Sequence, residues 1–447
     1  MSSNCIPPSK DPLDQSRPVL TVLQLSKVPA YAASIRERTD GQAGSASVEI
    51  PVVGSPLHGS FHILFPIDFS DGARWLLKVP INGTPDKWDE RTANTLRSEA
   101  LTMRLIRRRT TIPIPEVFDF GLTSDNLLKC PYLLLSFIPG VPLQSLWFDM
   151  SLSKDERYQR CTLALNEIAN AMAQLSQFSF STGGQILFNN KGEPIGIGPV
   201  LELDQSPSST SSEKAGYIEL GPYKNSKEFF TSSLDQHLAT SATYLIGQEK
   251  LLRLFIDCIV QWEAEDLDDS ELFVLSHPDF DIQNFIVSPE GHLLGVIDWD
   301  GASTAPKSLG NKAYPGWLTR DWDPMMYGYE ETPDGEAVPG IREDSPQELA
   351  RYRKVYRDAM DRVSRAGGSL RGSRETSATL ITANITIATF MLVCRAEIMF
   401  KIFEELGLPE DIVYSAVCRD LGEDKLAMEV REALCTSFIK LLRAESL

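Results

Sequence analysis

A chain of 447 residues, 42% of them hydrophobic, is long enough for two cores, and no low-complexity expanse denies it one. Its 61 acidic residues against 43 basic ones give a formal charge of -18. That balance argues against nucleic acid or an anionic membrane as the primary partner and mildly favours a cationic one, although surplus carboxylates also serve simply to keep a surface soluble.

Seven scattered cysteines without any C-x-x-C spacing read as reduced, mostly buried thiols. The opening residues lack a basic start followed by an apolar run, which predicts no secretory signal and hence a cytoplasmic protein.

In chain order, residues 1–45 form a polar leader with one helix expected around Leu20 to Arg38. Val48 to Val53 predicts a strand, and Gly54-Ser-Pro-Leu-His-Gly59-Ser60 follows it. Glycines let a backbone approach closely, and successive N–H groups can cradle phosphate oxygens, so Gly59 and Ser60 are candidate phosphate contacts. An ordinary hairpin turn is an equally good local reading. It is not a Walker loop, because Ser60 and Phe61 stand where Lys and Ser/Thr would be needed.

Residues 61–67 alternate, with Phe61, Ile63, Phe65 and Ile67 on one face; an Asp71-Gly72 turn then leads into a strand from Trp75 to Ile81. Lys78 sits inside that strand between Leu77 and Val79, where a buried ammonium is costly without a partner. The run from Glu90 to Arg109 places Leu96, Ala100, Met103 and Arg107 on one helical stripe. Glu99 in this run is the candidate partner, with Arg97 and Arg104 as local competitors for it.

Residues 131–140 read as a strand ending in a Pro-Gly turn, and helices dominate beyond it. Cys161, Leu165, Ile168, Met172 and Leu175 lie at helical spacing and predict core. Residues 181–227, rich in Gly, Pro and Ser, predict a hairpin followed by a surface loop around Ser206 to Ser212.

Leu272 to Leu275 then predicts a short buried strand leading into His277-Pro278-Asp279-Phe280-Asp281-Ile282-Gln283-Asn284. This is H-x-D-x-x-x-x-N, a spacing at which phosphoryl-transfer enzymes use the Asp to receive a hydroxyl proton and the Asn to bind a metal. The same residue types also form turns, so the motif needs its context. Phe285 to Val287, a Ser-Pro-Glu-Gly turn and Leu293 to Ile297 supply a hairpin that returns Asp298 to the side of Asn284 as a second metal ligand.

Farther on, Tyr314, Trp317, Asp321, Trp322 and Asp323 precede an acidic loop from Glu330 to Glu343. Aromatics and carboxylates can hold an organic ammonium, which makes this segment a candidate acceptor pocket, while Trp residues are also common core. The longest apolar stretch, Ala378 to Cys394, contains Thr382, Asn384, Thr386 and Thr389, is short for a membrane span and predicts a buried helix.

With these features in this order, residues 46–403 resemble the aminoglycoside phosphotransferase family, part of the protein-kinase-like superfamily that includes choline and homoserine kinases, in a branch common in fungi. The most specific pieces are L-S-H-P-D-F-D-I-Q-N-F-I-V and G-V-I-D-W-D. The resemblance implies an α+β, two-lobed protein-kinase-like fold. Residues 1–45 would be an extension, 46–138 a small mainly β nucleotide-covering lobe with its hinge, and 139–447 a larger helical lobe.

It further implies Asp279 as catalytic base, Asn284 and Asp298 as magnesium ligands, Lys78 as a phosphate contact held by Glu99, and the backbone of Ser136, Phe137 and Ile138 as the adenine contact of ATP. Family members commonly have Gly between the His and the Asp, and a second His two residues after the Asp; Pro278 and Asp281 stand there instead. Asp281 would either raise the pKa of the base or hold a cationic acceptor.

The expected activity is therefore ATP- and Mg-dependent phosphorylation of a hydroxyl on a small organic molecule. The departures raise a nucleotide-binding pseudokinase as the alternative. A protein kinase ranks third, because no A-P-E segment is present.

Overall fold

The computed structural model describes residues 12–39, 49–203, 217–236, 242–264, 272–333, 338, 340–366 and 380–445. The Ser206–Ser212 run and Cys5 fall outside them, as does part of the acidic 330–343 loop. The chain divides into two compact units, residues 1–109 with 114–139 and 190–192, and residues 110–113 with 140–189 and 193–447.

The first unit is α+β. Two helices, α1 (Pro12–Val22) and α2 (Val28–Thr39), precede an antiparallel sheet of β1 (Val52–Val53), β2 (Leu57–His58), β3 (His62–Asp68), β4 (Arg74–Pro80), β5 (Val117–Gly121) and β6 (Tyr132–Ser136), with α3 (Glu90–Arg109) between β4 and β5. The strand order is β1-β3-β4-β6-β5, and β2 pairs with β3.

Alternation along β3 buries Ile63, Phe65 and Ile67. Phe61 precedes the strand and is 53% exposed, so it leaves the face that the alternation assigned to it. On α3, Leu96, Ala100, Met103 and Ile106 are buried. Arg107 is exposed, because it reaches the Ile114 carbonyl and the Glu116 carboxylate instead of the core.

The leader contains two helices where one was expected. Pro29 lacks an N–H and suits the first turn of a helix, where it falls as α2 starts afresh at Val28 after a short 3-10 turn, whereas Pro18 lies inside α1. Both helices contribute to the core of this unit: Val19, Leu23, Val28, Ala32 and Ile35 pack with the buried residues of β3 and β4. Tyr31 of α2 and Tyr132 of β6 also share the carboxylate of Asp119.

The second unit is mainly helical around small sheets. Its elements are β7 (Val141–Pro142), α4 (Leu143–Trp147), α5 (Lys154–Ala173), β8 (Ser179–Phe180), β9 (Gly184–Phe188), β10 (Pro194–Gly198), β11 (Val200–Leu203), β12 (Tyr217–Leu220), α6 (Ser226–Gln236), α7 (Thr243–Ala264), β13 (Phe273–Ser276), β14 (Phe285–Val287), β15 (Leu293–Val296), β16 (Ser303–Pro306), α8 (Pro346–Ala366), α9 (Leu380–Phe390), α10 (Leu392–Glu405), α11 (Tyr414–Gly422) and α12 (Met428–Glu445).

β13 lies inside a sheet ordered β10-β9-β16-β13-β8, and β14 lies between β15 and β7. Gly140 makes the β7–β14 approach possible: its φ is +154°, and a Cβ there would sit 2.7 Å from the Ile286 side chain.

A large core joins α6, α7 and α9 to α12. The apolar stretch expected as one buried helix is two, because Met391 leaves helical conformation between α9 and α10 (φ -113°, ψ 95°). Thr386 and Thr389 bond carbonyls four and three residues back, a pattern that weakens and bends a helix. No helix among the described residues is long and apolar enough to cross a membrane.

Candidate active site

In the first unit, Lys78 and Glu99 meet. Lys78 stands on β4 between Leu64 of β3 and Leu133 of β6, and its Nζ donates to Glu99 Oε1 on α3 at 2.8 Å. The residues are only 6% and 2% exposed, so each charge depends on the other for compensation.

Gly59 closes a tight turn, its N–H donating to the His62 carbonyl at 2.9 Å, which matches the hairpin reading of this segment and leaves Ser60 at the tip. At the end of β6, the N–H groups of Ser136 and Phe137 donate to the carbonyls of Glu116 and Arg74. An amide contact to a base in this segment therefore falls to Ile138.

In the second unit, Asp279, Asn284 and Asp298 are assembled by the strand, loop and hairpin. Asp279 is exposed and Asn284 is buried. Asn284 Nδ2 donates to the Asp279 carbonyl at 2.7 Å and to Asp279 Oδ2 at 2.8 Å. Gln283 Nε2 donates to the same Oδ2 at 3.0 Å. Both side-chain donors thus converge on one carboxylate oxygen, Oδ2. With its nitrogen committed to Asp279, Asn284 has its amide oxygen for a cation.

The hairpin closes through the Ile297 N–H to the Asn284 carbonyl at 2.9 Å. Asp298 then takes a left-handed conformation, φ 62°, uncommon for a residue with a Cβ and costing about 1 kcal/mol. Buried Trp299 anchors the next position, its Nε1 donating to the Val296 carbonyl at 3.1 Å.

His277 ties the two carboxylates' backbones together. The Asp279 N–H donates to His277 Nδ1 at 3.2 Å, so the ring proton belongs on Nε2, which donates to the Ile297 carbonyl at 2.9 Å. Burial holds the imidazole pKa below its ordinary value, and the ring is neutral at neutral pH.

The four candidate acceptor residues separate. Asp281 is not an open carboxylate. Its Oδ1 caps the turn at Ile282, and its Oδ2 accepts from Arg320 Nη2 at 3.0 Å, while Arg320 Nη1 donates to Glu343 at 3.0 Å. Its negative charge is paired within the chain with a guanidinium that it shares with Glu343.

Trp317 is buried among Trp147, Phe280 and Phe285 and supports the loop from behind. Asp321 and Trp322 do line an open groove of about 1270 Å³ with Tyr244, Tyr327, Phe400 and Tyr414. Asp321 pairs with both terminal nitrogens of Arg353 at 2.7 and 3.0 Å, and Lys401 Nζ lies 4.5 Å from the centre of the Trp322 ring.

Sequence reasoning did not single out Gln283, Arg320 or Glu343. Gln283 lay inside the motif and faces Asp279 because a 3-10 turn, Ile282–Asn284, brings it round. Arg320 carried no signal, since its partner is 39 positions away.

The sequence signature of the APH phosphotransferase enzyme family matches residues 69–306, more than half of the chain, and the chain belongs to that family. The matched span contains Lys78, Glu99, Asp279, Asn284 and Asp298. The fold is accordingly kinase-like, with a β-rich N-terminal unit and a helical C-terminal one.

Among curated relatives, the chain is 23% identical over 363 residues to Altered inheritance of mitochondria protein 9, mitochondrial, of Saccharomyces cerevisiae strain YJM789, covering 69% of this chain and 56% of that protein. It is also 23% identical over 347 residues to a subtelomeric hrmA-associated cluster protein of Aspergillus fumigatus, covering 66% of each. The chain thus spans about half the length of the yeast relatives it matches.

Among solved structures, a Plasmodium vivax ethanolamine kinase aligns with TM-score 0.38 and 12% identity, covering 96% of this chain and 97% of that one. A macrolide 2'-phosphotransferase of Brachybacterium faecium aligns with TM-score 0.33 and 10% identity, covering 91% and 97%.

Proposed function

We propose that the protein transfers the terminal phosphoryl group of ATP to a hydroxyl of a small organic molecule. The observation that carries this reading is the Asp279 carboxylate, exposed and oriented through one oxygen by Asn284 and Gln283, in a chain of the phosphotransferase family. Asp279 Oδ1 accepts the proton of the attacking hydroxyl as its oxygen bonds to the γ-phosphorus and the bond from phosphorus to the bridging oxygen breaks, releasing ADP.

The Asn284 amide oxygen and the Asp298 carboxylate would hold Mg²⁺, which neutralises charge on the phosphates. An Asn–Asp pair completed by phosphate oxygens suits magnesium, which is seldom caged by protein alone.

Lys78, oriented by Glu99, contacts the phosphates; Ser60 covers them, and Ile138 meets the adenine.

For the acceptor, Asp321 and Trp322 contribute wall to the groove, and Arg320 beside them holds Asp281 of the catalytic loop. Glu397, Glu404, Glu405 and Glu410 also line the groove against a single lysine, Lys401, which favours a cationic acceptor. ATP as donor fits an intracellular, cytoplasmic site of action.

The test is transfer from labelled ATP into a fractionated small-molecule extract, with Asp279→Asn as control. The expected result is labelled product from the wild type and a loss of about 10²- to 10⁴-fold in the variant. Binding of Mg-ATP without any turnover dependent on Asp279 would instead identify a nucleotide-binding pseudokinase. With the acceptor in hand, Trp322→Leu is expected to raise KM for the acceptor and leave KM for ATP unchanged.

A further inference from the structure

The C-terminal helix α12 packs along α7, and two contacts set its register. Phe255 of α7 stacks on Phe438 of α12, ring centroids 4.2 Å apart and planes 1° from parallel. Cys258 lies three residues on from Phe255, and Cys435 three residues back from Phe438. The helices therefore run antiparallel, and the step that pairs the phenylalanines also pairs the cysteines. The two thiols therefore face one another across the helix pair.

Their environments differ. Cys130, Cys161, Cys258, Cys394 and Cys418 are buried, whereas Cys435 is partly exposed. The Cys258 S–H and the Arg431 guanidinium, one turn before Cys435, favour its thiolate and hold its pKa below the ordinary thiol value. Asp257 opposes this, but Lys227 pairs with it at 2.6 Å. The partner thiol, Cys258, is buried, which suits a resolving thiol more than an attacking one.

We propose that Cys435 and Cys258 form a hydroperoxide-reactive pair that closes to a reversible disulfide joining α12 to α7. The Cys435 thiolate attacks the peroxide oxygen, the O–O bond breaks, and Cys435 becomes a sulfenic acid as hydroxide leaves. The Cys258 sulfur then displaces that hydroxyl and a disulfide forms. In sum, two thiols are oxidised and one peroxide is reduced to two waters. Closure requires an S–S distance of about 2.05 Å, which side-chain rotation would have to reach between thiols that face one another across the helix pair. This inference is independent of the phosphotransferase reading.

The test treats the full native chain with dilute hydrogen peroxide, blocks remaining thiols, and maps peptides by mass. The expected product is a peptide cross-linked between Cys258 and Cys435, lighter than its two parts by about 2 mass units for the two hydrogens lost and reopened by dithiothreitol. In Cys258→Ser the cross-link is absent, and dimedone labelling of Cys435 rises several-fold over wild type, because the sulfenic acid has no resolving partner. The wild-type map also decides the matter without any variant. A Cys435 that goes to sulfinic acid while Cys258 stays free would overturn the proposal, as would a Cys435 no more reactive than the buried cysteines.

Discussion

The two halves of the candidate machinery hold their charged groups in opposite ways. In the N-terminal unit one lysine and one glutamate are almost wholly withdrawn from water and joined by a bond of 2.8 Å. In the C-terminal unit the charges stay near solvent and are steadied by several weaker contacts: Gln283 and Asn284 on Asp279, Arg320 and the turn on Asp281, and His277 between the backbones of Asp279 and Ile297. A buried pair is strong only while both members stand, since removing either leaves a naked charge in a low dielectric. A dispersed network loses less with each deletion and leaves its central carboxylate accessible, as proton transfer requires.

That contrast predicts a descending series of effects. Glu99→Ala removes the carboxylate that the buried Lys78 ammonium donates to and is expected to destabilise the protein by about 3–5 kcal/mol in urea unfolding. The double variant Lys78→Met with Glu99→Leu should recover most of that stability while phosphoryl transfer stays lost. If Glu99→Ala unfolds at the wild-type urea concentration, the pair is not the buried dependency described here.

Arg320→Ala leaves Asp281 and Glu343 unpaired but partly hydrated, and the expected loss is about 1–3 kcal/mol. Arg320→Lys should recover only part of it, because one ammonium cannot reproduce the two-armed contact. Equal melts for Arg320→Lys and wild type would show that a point charge is enough.

His277 gives the comparison a pH axis. Its folded pKa lies below the ordinary value because of burial, so the unfolded chain takes up a proton that the folded state resists. The stability held by the neutral ring is present above about pH 6.5 and is lost as pH falls below it. Wild type should lose stability between pH 7 and pH 5.5 more steeply than His277→Gln; parallel slopes in the two proteins would remove His277 from the network.

The smallest effect is expected at Asp298. Glycine adopts its left-handed conformation without strain, so Asp298→Gly should stabilise the fold by up to about 1 kcal/mol while abolishing metal-dependent turnover. A destabilised Asp298→Gly would show that the carboxylate holds the loop together more than it serves a cation.

Much of this site could be read from local sequence because its parts are close along the chain. Asp279, Asn284 and Asp298 span 20 positions, and a strand, a turn and a hairpin are set by apolar runs and by residues such as Gly291, whose φ of +99° few other residues adopt. Lys78 and Glu99 were paired by a similar argument, a costly ammonium in an apolar strand and a carboxylate in the next helix.

Long-range partners left no local trace. Whether Asp281 faces a ligand or an arginine depended on Arg320, 39 positions away, and whether Trp317 and Trp322 are lining or core depended on which helices came to rest on them. Cys258 and Cys435 are 177 positions apart and meet only because α12 returns along α7. Periodicity and spacing therefore determined the strands and helices that carry Lys78 and Glu99 and the 277–284 loop with its hairpin. Packing decided which charges are neutralised, which aromatics are covered and which thiols touch, since burial and Coulomb interaction depend on distance in space.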